Sequence, residues 1–180
     1  MTLSRTERIH TGRIINLDVD TVQMPDGSMA RLEMIRHPGA AAVLPFIDDP
    51  ADPDPRVLLI RQFRHAAGGY IWEIPAGRRD AGEHPDLTAH RELREETGMT
   101  CGRLLHLTSL LTTPGFTDEV IHLYMAADLT PGPTAREPDE FMELHERPWS
   151  QVLEMVRTGE ITDAKTMTTI LFVQGFKPKP

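Results

Sequence analysis

The chain has almost nothing with which to cross-link, export or anchor itself. Cys101 is its only cysteine, so no intramolecular disulfide forms and a reducing compartment is the natural setting. The first nine residues hold no apolar run of the kind a secretory signal needs. No stretch is long and apolar enough to span a bilayer. A cytoplasmic location with no membrane partner is therefore expected. Positive charge is scarce too: 19 Lys and Arg stand against 27 Asp and Glu, a net charge of −8. Phosphate backbones select basic surfaces, so no nucleic-acid partner is expected. An acidic chain still accepts a small phosphorylated ligand when metal ions bridge the two. No internal repeat is present.

What is present suits one globular domain with room for a small appendage: 180 residues, 39% hydrophobic and 26% charged. Residues 14–24 alternate Ile15, Leu17 and Val19 with polar neighbours and end at Pro25-Asp26-Gly27-Ser28, a hairpin signal answered by a second alternating run over 29–35. Residues 40–47 are continuously apolar, as in a strand buried on both faces. Aspartates and prolines over 48–55 predict an exposed loop before the next buried strand, 57–63. A short strand over 70–75 and a glycine-bounded loop over 76–82 follow. Pro85, Asp86 and Gly98 mark the start, first turn and stop of a helix over 85–97. Further strands are expected over 104–111, 120–127 and about 141–145. Two last helices are expected: 151–157 capped by Ser150, and 164–174 capped by Asp163 and closed by Gly175. The pattern is α+β, or a three-layer α/β/α sandwich.

Glu92, Glu95 and Glu96 stand at i, i+3 and i+4, so a helix projects all three carboxylates from one face within a turn. Like charges that close repel unless something positive sits among them. A divalent cation with hard oxygen ligands, Mg²⁺ or Mn²⁺, answers that need. Arg91 lies four residues before Glu95 and can steady it. The plainer reading is a solvated amphipathic helix with Leu87 and Leu93 turned inward.

The spacing around the helix is more specific. Five residues separate Gly77 from Glu83, seven separate Glu83 from Arg91, and Arg91-Glu92-Leu93-Arg94-Glu95-Glu96-Thr97-Gly98-Met99 follows. This resembles the Nudix box without a departure. Seven positions demand one residue type and two demand an aliphatic one. With usage of roughly 5–8% per residue type, chance gives such a match about once in ten million chains. The resemblance implies a Nudix-type α/β/α sandwich with a mixed central sheet over residues 39–180, preceded by a small antiparallel β segment over 1–38. It implies that the Ala76 carbonyl, Glu92 and Glu96 hold divalent ions, Mg²⁺ or possible Mn²⁺, with Glu95 sharing or bridging. Glu83 keeps two readings, a metal role or a structural pairing with Arg91 that closes the loop.

Features outside the box resemble the ADP-ribose pyrophosphatase branch. Pro114 lies fifteen residues past Met99, within Thr113-Pro114-Gly115-Phe116-Thr117-Asp118-Glu119, where that branch usually carries Ser in place of Thr113. A Pro-Gly turn between strands would also explain the segment. Arg61-Gln62-Phe63-Arg64 and Trp72-Glu73-Ile74-Pro75-Ala76-Gly77 resemble the branch's two pocket-lining strands. The implied substrate contacts are Arg64, Glu73, Gly77, Pro114, Gly115, Phe116 and Glu119. Arg64 would fork onto a phosphate, and Glu73 would accept from an adenine amino group or pair with an arginine. Trp72 and Phe63 are read first as core. A similar N-terminal segment exchanges between subunits in that branch, which implies a homodimer. The base that activates water is expected on a late acidic loop, Glu140 first and Glu137 second, because Pro138 falls where relatives carry Glu. The implied reaction is metal-dependent hydrolysis of ADP-ribose to AMP and ribose 5-phosphate. The rivals are a hydrolase of other nucleoside diphosphate sugars such as GDP-mannose, and a non-catalytic ADP-ribose sensor, which the complete box disfavours.

Overall fold

The computed structural model describes residues 1–133 and 142–176. Its first sheet has three antiparallel strands, β1 (Thr2–Thr11), β2 (Asn16–Gln23) and β3 (Met29–Arg36), in that order. The Asp26-Gly27 turn joins β2 to β3 as expected. Gly27 adopts a positive φ of 86°, and the Asp26 carboxylate accepts from the Ser28 amide at 2.9 Å. Strand β1 was not expected. All ten of its residues are exposed, so it shows no apolar periodicity. It is held by the backbone ladder and by polar pairs to β2: Arg8 to Asp18, and the Thr6 hydroxyl to Asp20 at 2.8 Å. The buried face of β2 is not the one that carries Leu17 and Val19. Asp18, Asp20 and Val22 are buried, whereas Leu17 and Val19 are only half-buried.

The central layer is built on β4 (Ala40–Pro45), buried along its whole length. Side chains alternate across a strand, so Ala40, Ala42 and Leu44 enter one core cluster while Ala41 and Val43 enter another. After β4 come β5 (Arg56–Arg64), β6 (Gly69–Glu73), β7 (Ala76–Arg78), α1 (Pro85–Thr97), β8 (Met99–Leu111) and β9 (Val120–Pro131). The chain then continues with β10 (Met142–Pro148), α2 (Trp149–Arg157) and α3 (Ala164–Phe176). Strand β4 pairs parallel with β9 and antiparallel with β7, giving a mixed sheet ordered β7-β4-β9-β8, and β10-β5-β6 form a third sheet. Ala89 and Leu93 of α1 pack with Ala41, Val43 and Tyr124 on one face of the mixed sheet. On the other face Leu59, Val152, Met155, Ile170 and Val173 pack with Leu44, Leu123 and Met125. This is the expected α/β/α layering. Burying Leu93 completely contributes about 2 kcal/mol by transfer alone.

Several local expectations are revised. Residues 76–78 are a strand rather than the start of a loop, because the free edge of β4 offers backbone partners to Ala76 and Gly77. Ser150 is not the cap of α2, which starts after Pro148. Instead Asp54, in the aspartate–proline loop, accepts from the Ser150 amide at 2.7 Å and its hydroxyl at 2.9 Å. Gly175 lies inside α3 rather than closing it. Asp163 does cap α3, accepting from the Thr166 amide at 3.0 Å. In α1, Leu93 is buried but Leu87 is 60% exposed. A cavity of about 960 Å³ lies between the 48–55 loop, α2 and α3, and none of its lining belongs to the carboxylate helix.

Candidate active site

Helix α1 starts at His84, whose Nδ1 accepts from the Asp86 amide, and ends at Gly98 in the left-handed region, φ 74°. Between them the inward stripe contains Thr88, Ala89, Glu92, Leu93, Glu96 and Thr97. Two glutamates are therefore placed with the core residues: Glu92 is 8% exposed and Glu96 4%. Both meet β7. The Ala76 amide donates to Glu96 Oε2 at 3.1 Å. The Glu92 carboxylate lies so close to Gly77 that a Cβ there would overlap it. Only glycine permits that approach. Glu95, one turn from Glu92, is partly exposed.

Arg91 ties the group together. Its Nη1 donates to Glu92 Oε1 at 2.6 Å and to Glu95 Oε2 at 3.3 Å. Its Nη2 donates to the Arg78 carbonyl at 2.9 Å and to Glu83 Oε2 at 3.1 Å, and its Nε to Glu83 Oε1 at 3.2 Å. Glu83 also accepts from the Asp80 amide at 3.0 Å and the Thr88 hydroxyl at 2.9 Å. Hydrogen bonds from Arg91, then from the Asp80 amide, hold its carboxyl at about 2, well below the usual 4.5. Glu83 thus closes the loop between β7 and α1 and orients Arg91. Among the described residues no three His, Cys, Asp or Glu side chains converge as a ready cation cluster. Arg91 draws Glu92 and Glu95 toward itself instead. The donor set remains carboxylate oxygens from one helical turn, two of them sunk in the core, beside the β7 backbone.

The other candidates fall in two places. Arg64 and Glu73 meet: Arg64 Nε donates to Glu73 Oε2 at 2.8 Å. Lys165 of α3 takes the other oxygen at 2.5 Å and also reaches Asp163 at 3.0 Å. Of the two readings of Glu73, pairing with an arginine is the one seen. Sequence reasoning missed Lys165, which lies 92 residues from Glu73. Trp72 packs against the core and donates to Glu160 at 3.0 Å. Phe63 is exposed and stands edge-on to Tyr70, with ring centroids 5.5 Å apart, so it is not the core residue expected.

The Thr113–Glu119 segment, numbers 113–119, joins β8 to β9 and meets the N-terminal sheet. The Ile35 amide donates to the Phe116 carbonyl at 2.7 Å, and the His37 amide to Asp118 Oδ1 at 2.9 Å. Phe116 and Glu119 line a cavity of about 230 Å³ with Ile15, Ile35 and His37, whereas Pro114 and Gly115 sit exposed at the turn. Arg36, which sequence reasoning also missed, pairs with Asp18, Asp20 and Asp118. Arg78 Nη1 donates to the Arg13 carbonyl at 3.1 Å, joining the sheet to β7 as well. Glu140 and Glu137 lie outside the described residues.

The chain resembles known proteins in sequence and in fold. The NUDIX domain family model matches residues 36–170. An ADP-ribose pyrophosphatase of Bacillus subtilis (strain 168) is 39% identical over 170 residues, 93% of this chain and 89% of that protein. A methanol dehydrogenase activator of Bacillus methanolicus is 38% identical over 172 residues, 94% of this chain and 90% of that protein. A crystal structure of an ADP compounds hydrolase superposes with a TM-score of 0.82 at 20% identity, covering 97% of this chain and 92% of the other.

Proposed function

Because the chain belongs to the Nudix family and is a Nudix hydrolase of the ADP-ribose diphosphatase-like kind, we propose that it cleaves the diphosphate linkage of ADP-ribose to AMP and ribose 5-phosphate. The observation that carries this reading is the pair of buried carboxylates, Glu92 and Glu96, pressed against Gly77 and Ala76. Carboxylates in the core without function would cost stability. Their oxygens fit a hard divalent cation, and Mg²⁺ is the proposed ion, with Mn²⁺ as the substitute. Glu92, Glu96, Glu95 and the Ala76 carbonyl would hold it. When bound, such an ion polarises phosphate oxygens and lowers the pKa of water.

The rest follows from the chain's own residues. Arg91 orients Glu92 and Glu95, and Glu83 fixes Arg91. Arg64, with its Nε held by Glu73, keeps its terminal N–H groups for a phosphate. Gly77 lets the β7 backbone approach the site closely. Phe116 and Glu119, with Pro114 and Gly115 shaping their turn, are proposed to contact the ribose or base. Glu140, then Glu137, is the proposed base that takes the water proton.

The N-terminal sheet supports a homodimer, because Leu3, Ile9, Met29 and Leu32 leave apolar surface exposed on it. Light scattering should give twice the chain mass, and a monomer at micromolar concentration would refute it. The activity is tested with Mg²⁺ or Mn²⁺ on ADP-ribose, GDP-mannose, UDP-glucose and nucleoside triphosphates, with products separated by chromatography. ADP-ribose should give the highest kcat/KM, and Glu96→Gln should lower turnover by orders of magnitude with circular dichroism unchanged. A fully active Glu96→Gln enzyme would sink the scheme.

A further inference from the structure

A second cluster of ligating side chains lies on the sheet face that carries α1, near the N-terminal end of that helix. Tyr124 marks the place: it packs with Ala89 and Leu93, and its hydroxyl donates to Asp86 Oδ1 at 2.7 Å. Alternation along β9 puts His122 on the same face. His106 of β8 stands edge-on to Tyr124, ring centroids 5.1 Å apart, and 6.1 Å from the His122 ring. Both imidazoles direct a nitrogen at one point. His122 Nδ1 is 2.8 Å from the Ser109 hydroxyl oxygen, and His106 Nε2 is 3.2 Å from that same oxygen.

A hydroxyl has a single proton, so it donates to only one of the two rings, and the other ring must donate to it. Two ring nitrogens converging on a point is also how a transition-metal ion is gripped. An ion at the oxygen's place needs nitrogens at about 2.0–2.1 Å. Each ring would have to advance by only about 1 Å, and His106 is exposed, with freedom to do so. Burial, aided by Arg79, His106 and His84, pushes the His122 pKa below its ordinary value despite the opposing Asp86, which favours the neutral ring a metal ligand needs.

We propose that His106 and His122 form a binding site for a borderline first-row transition-metal cation, separate from the carboxylate site, with Ser109 swinging aside or adding its oxygen. Imidazole selects Cu²⁺, Ni²⁺ or Zn²⁺ over Mg²⁺. Among the described residues no third His, Cys, Asp or Glu joins the pair. Water therefore completes the coordination, and the affinity is expected to be micromolar, following Cu²⁺ above Zn²⁺.

The test is titration of the whole protein with CuCl₂ or ZnCl₂ in saturating Mg²⁺, by calorimetry and, for Cu²⁺, by electron paramagnetic resonance. One ion per chain should bind, with nitrogen superhyperfine structure from two imidazoles. His106→Ala or His122→Ala should weaken binding at least tenfold and leave a one-nitrogen spectrum. Ser109→Ala should bind as well as wild type or better, because the competing hydroxyl is gone. Glu92→Gln/Glu96→Gln should retain the site. Unchanged binding in both histidine variants, or loss only in the glutamate variant, overturns the proposal. Circular dichroism separates lost ligands from lost fold, and a His106→Gln variant that folds yet binds like wild type would also overturn it.

Discussion

Glu83 links the box to stability through a quantity that pH controls. Its carboxyl is held at about 2 in the folded chain against 4.5 when unconstrained, chiefly by hydrogen bonds from Arg91 and the Asp80 amide. A folded-state pKa below the unfolded one contributes stability that is complete above the unfolded value and lost as pH falls toward the folded one. That difference corresponds to a ceiling of about 3 kcal/mol at pH 7. The side chain is 15% exposed at the lip of a loop, where solvent screens the Arg91 interaction, so about 1–2 kcal/mol is the realistic figure. Glu83→Gln keeps the shape and an acceptor but removes the charge. Urea unfolding, followed by the fluorescence of Trp72 and Trp149, should show that deficit at pH 7. At pH 3 the wild type has lost most of its advantage, because its unfolded state binds a proton that the folded state refuses. The deficit should shrink by at least half between the two pH values. A deficit that stays constant with pH, or no deficit at pH 7, would refute the assignment of Glu83 as the charged anchor of Arg91.

Gly77→Ala places a methyl group into the Glu92 carboxylate. It should cost about 1–3 kcal/mol of stability and, by displacing Glu92, about a hundredfold in turnover, read from urea midpoints and steady-state kinetics on one preparation. Arg36→Ala removes the cation shared by Asp18, Asp20 and Asp118. It should speed amide exchange at Ile35 and Asp118, which bridge the N-terminal sheet to the 113–119 segment, by about tenfold or more. Unchanged protection there would mean that the backbone bridge alone holds the sheet.

What the sequence disclosed depended on whether the relevant physics was local. The box was legible because helical spacing alone brings Glu92, Glu95 and Glu96 to one face, and because Gly77 and Glu83 sit at fixed distances from it along the chain. The apolar run over 40–47 was legible because burial on both faces leaves no polar position. The failures share the opposite cause. Strand β1 hides because its partners are charges across the ladder, Arg8 with Asp18, rather than apolar residues with a period. Leu87 is exposed while the inward stripe of α1 includes Glu92 and Glu96, so two box glutamates occupy places an ordinary helix would give to leucine.

That displacement bears on the reading of the site itself. A solvated amphipathic helix would bury its leucines and expose its glutamates. Here α1 buries two of its three box glutamates and exposes one of its two leucines. Desolvated carboxylates one turn apart are unfavourable unless cations compensate them. Arg91 supplies one such charge to Glu92, and the Ala76 amide donates a hydrogen bond to Glu96. A divalent ion bound by these carboxylates, as proposed above, would add to that compensation and would favour a helix that buries glutamates in place of leucine.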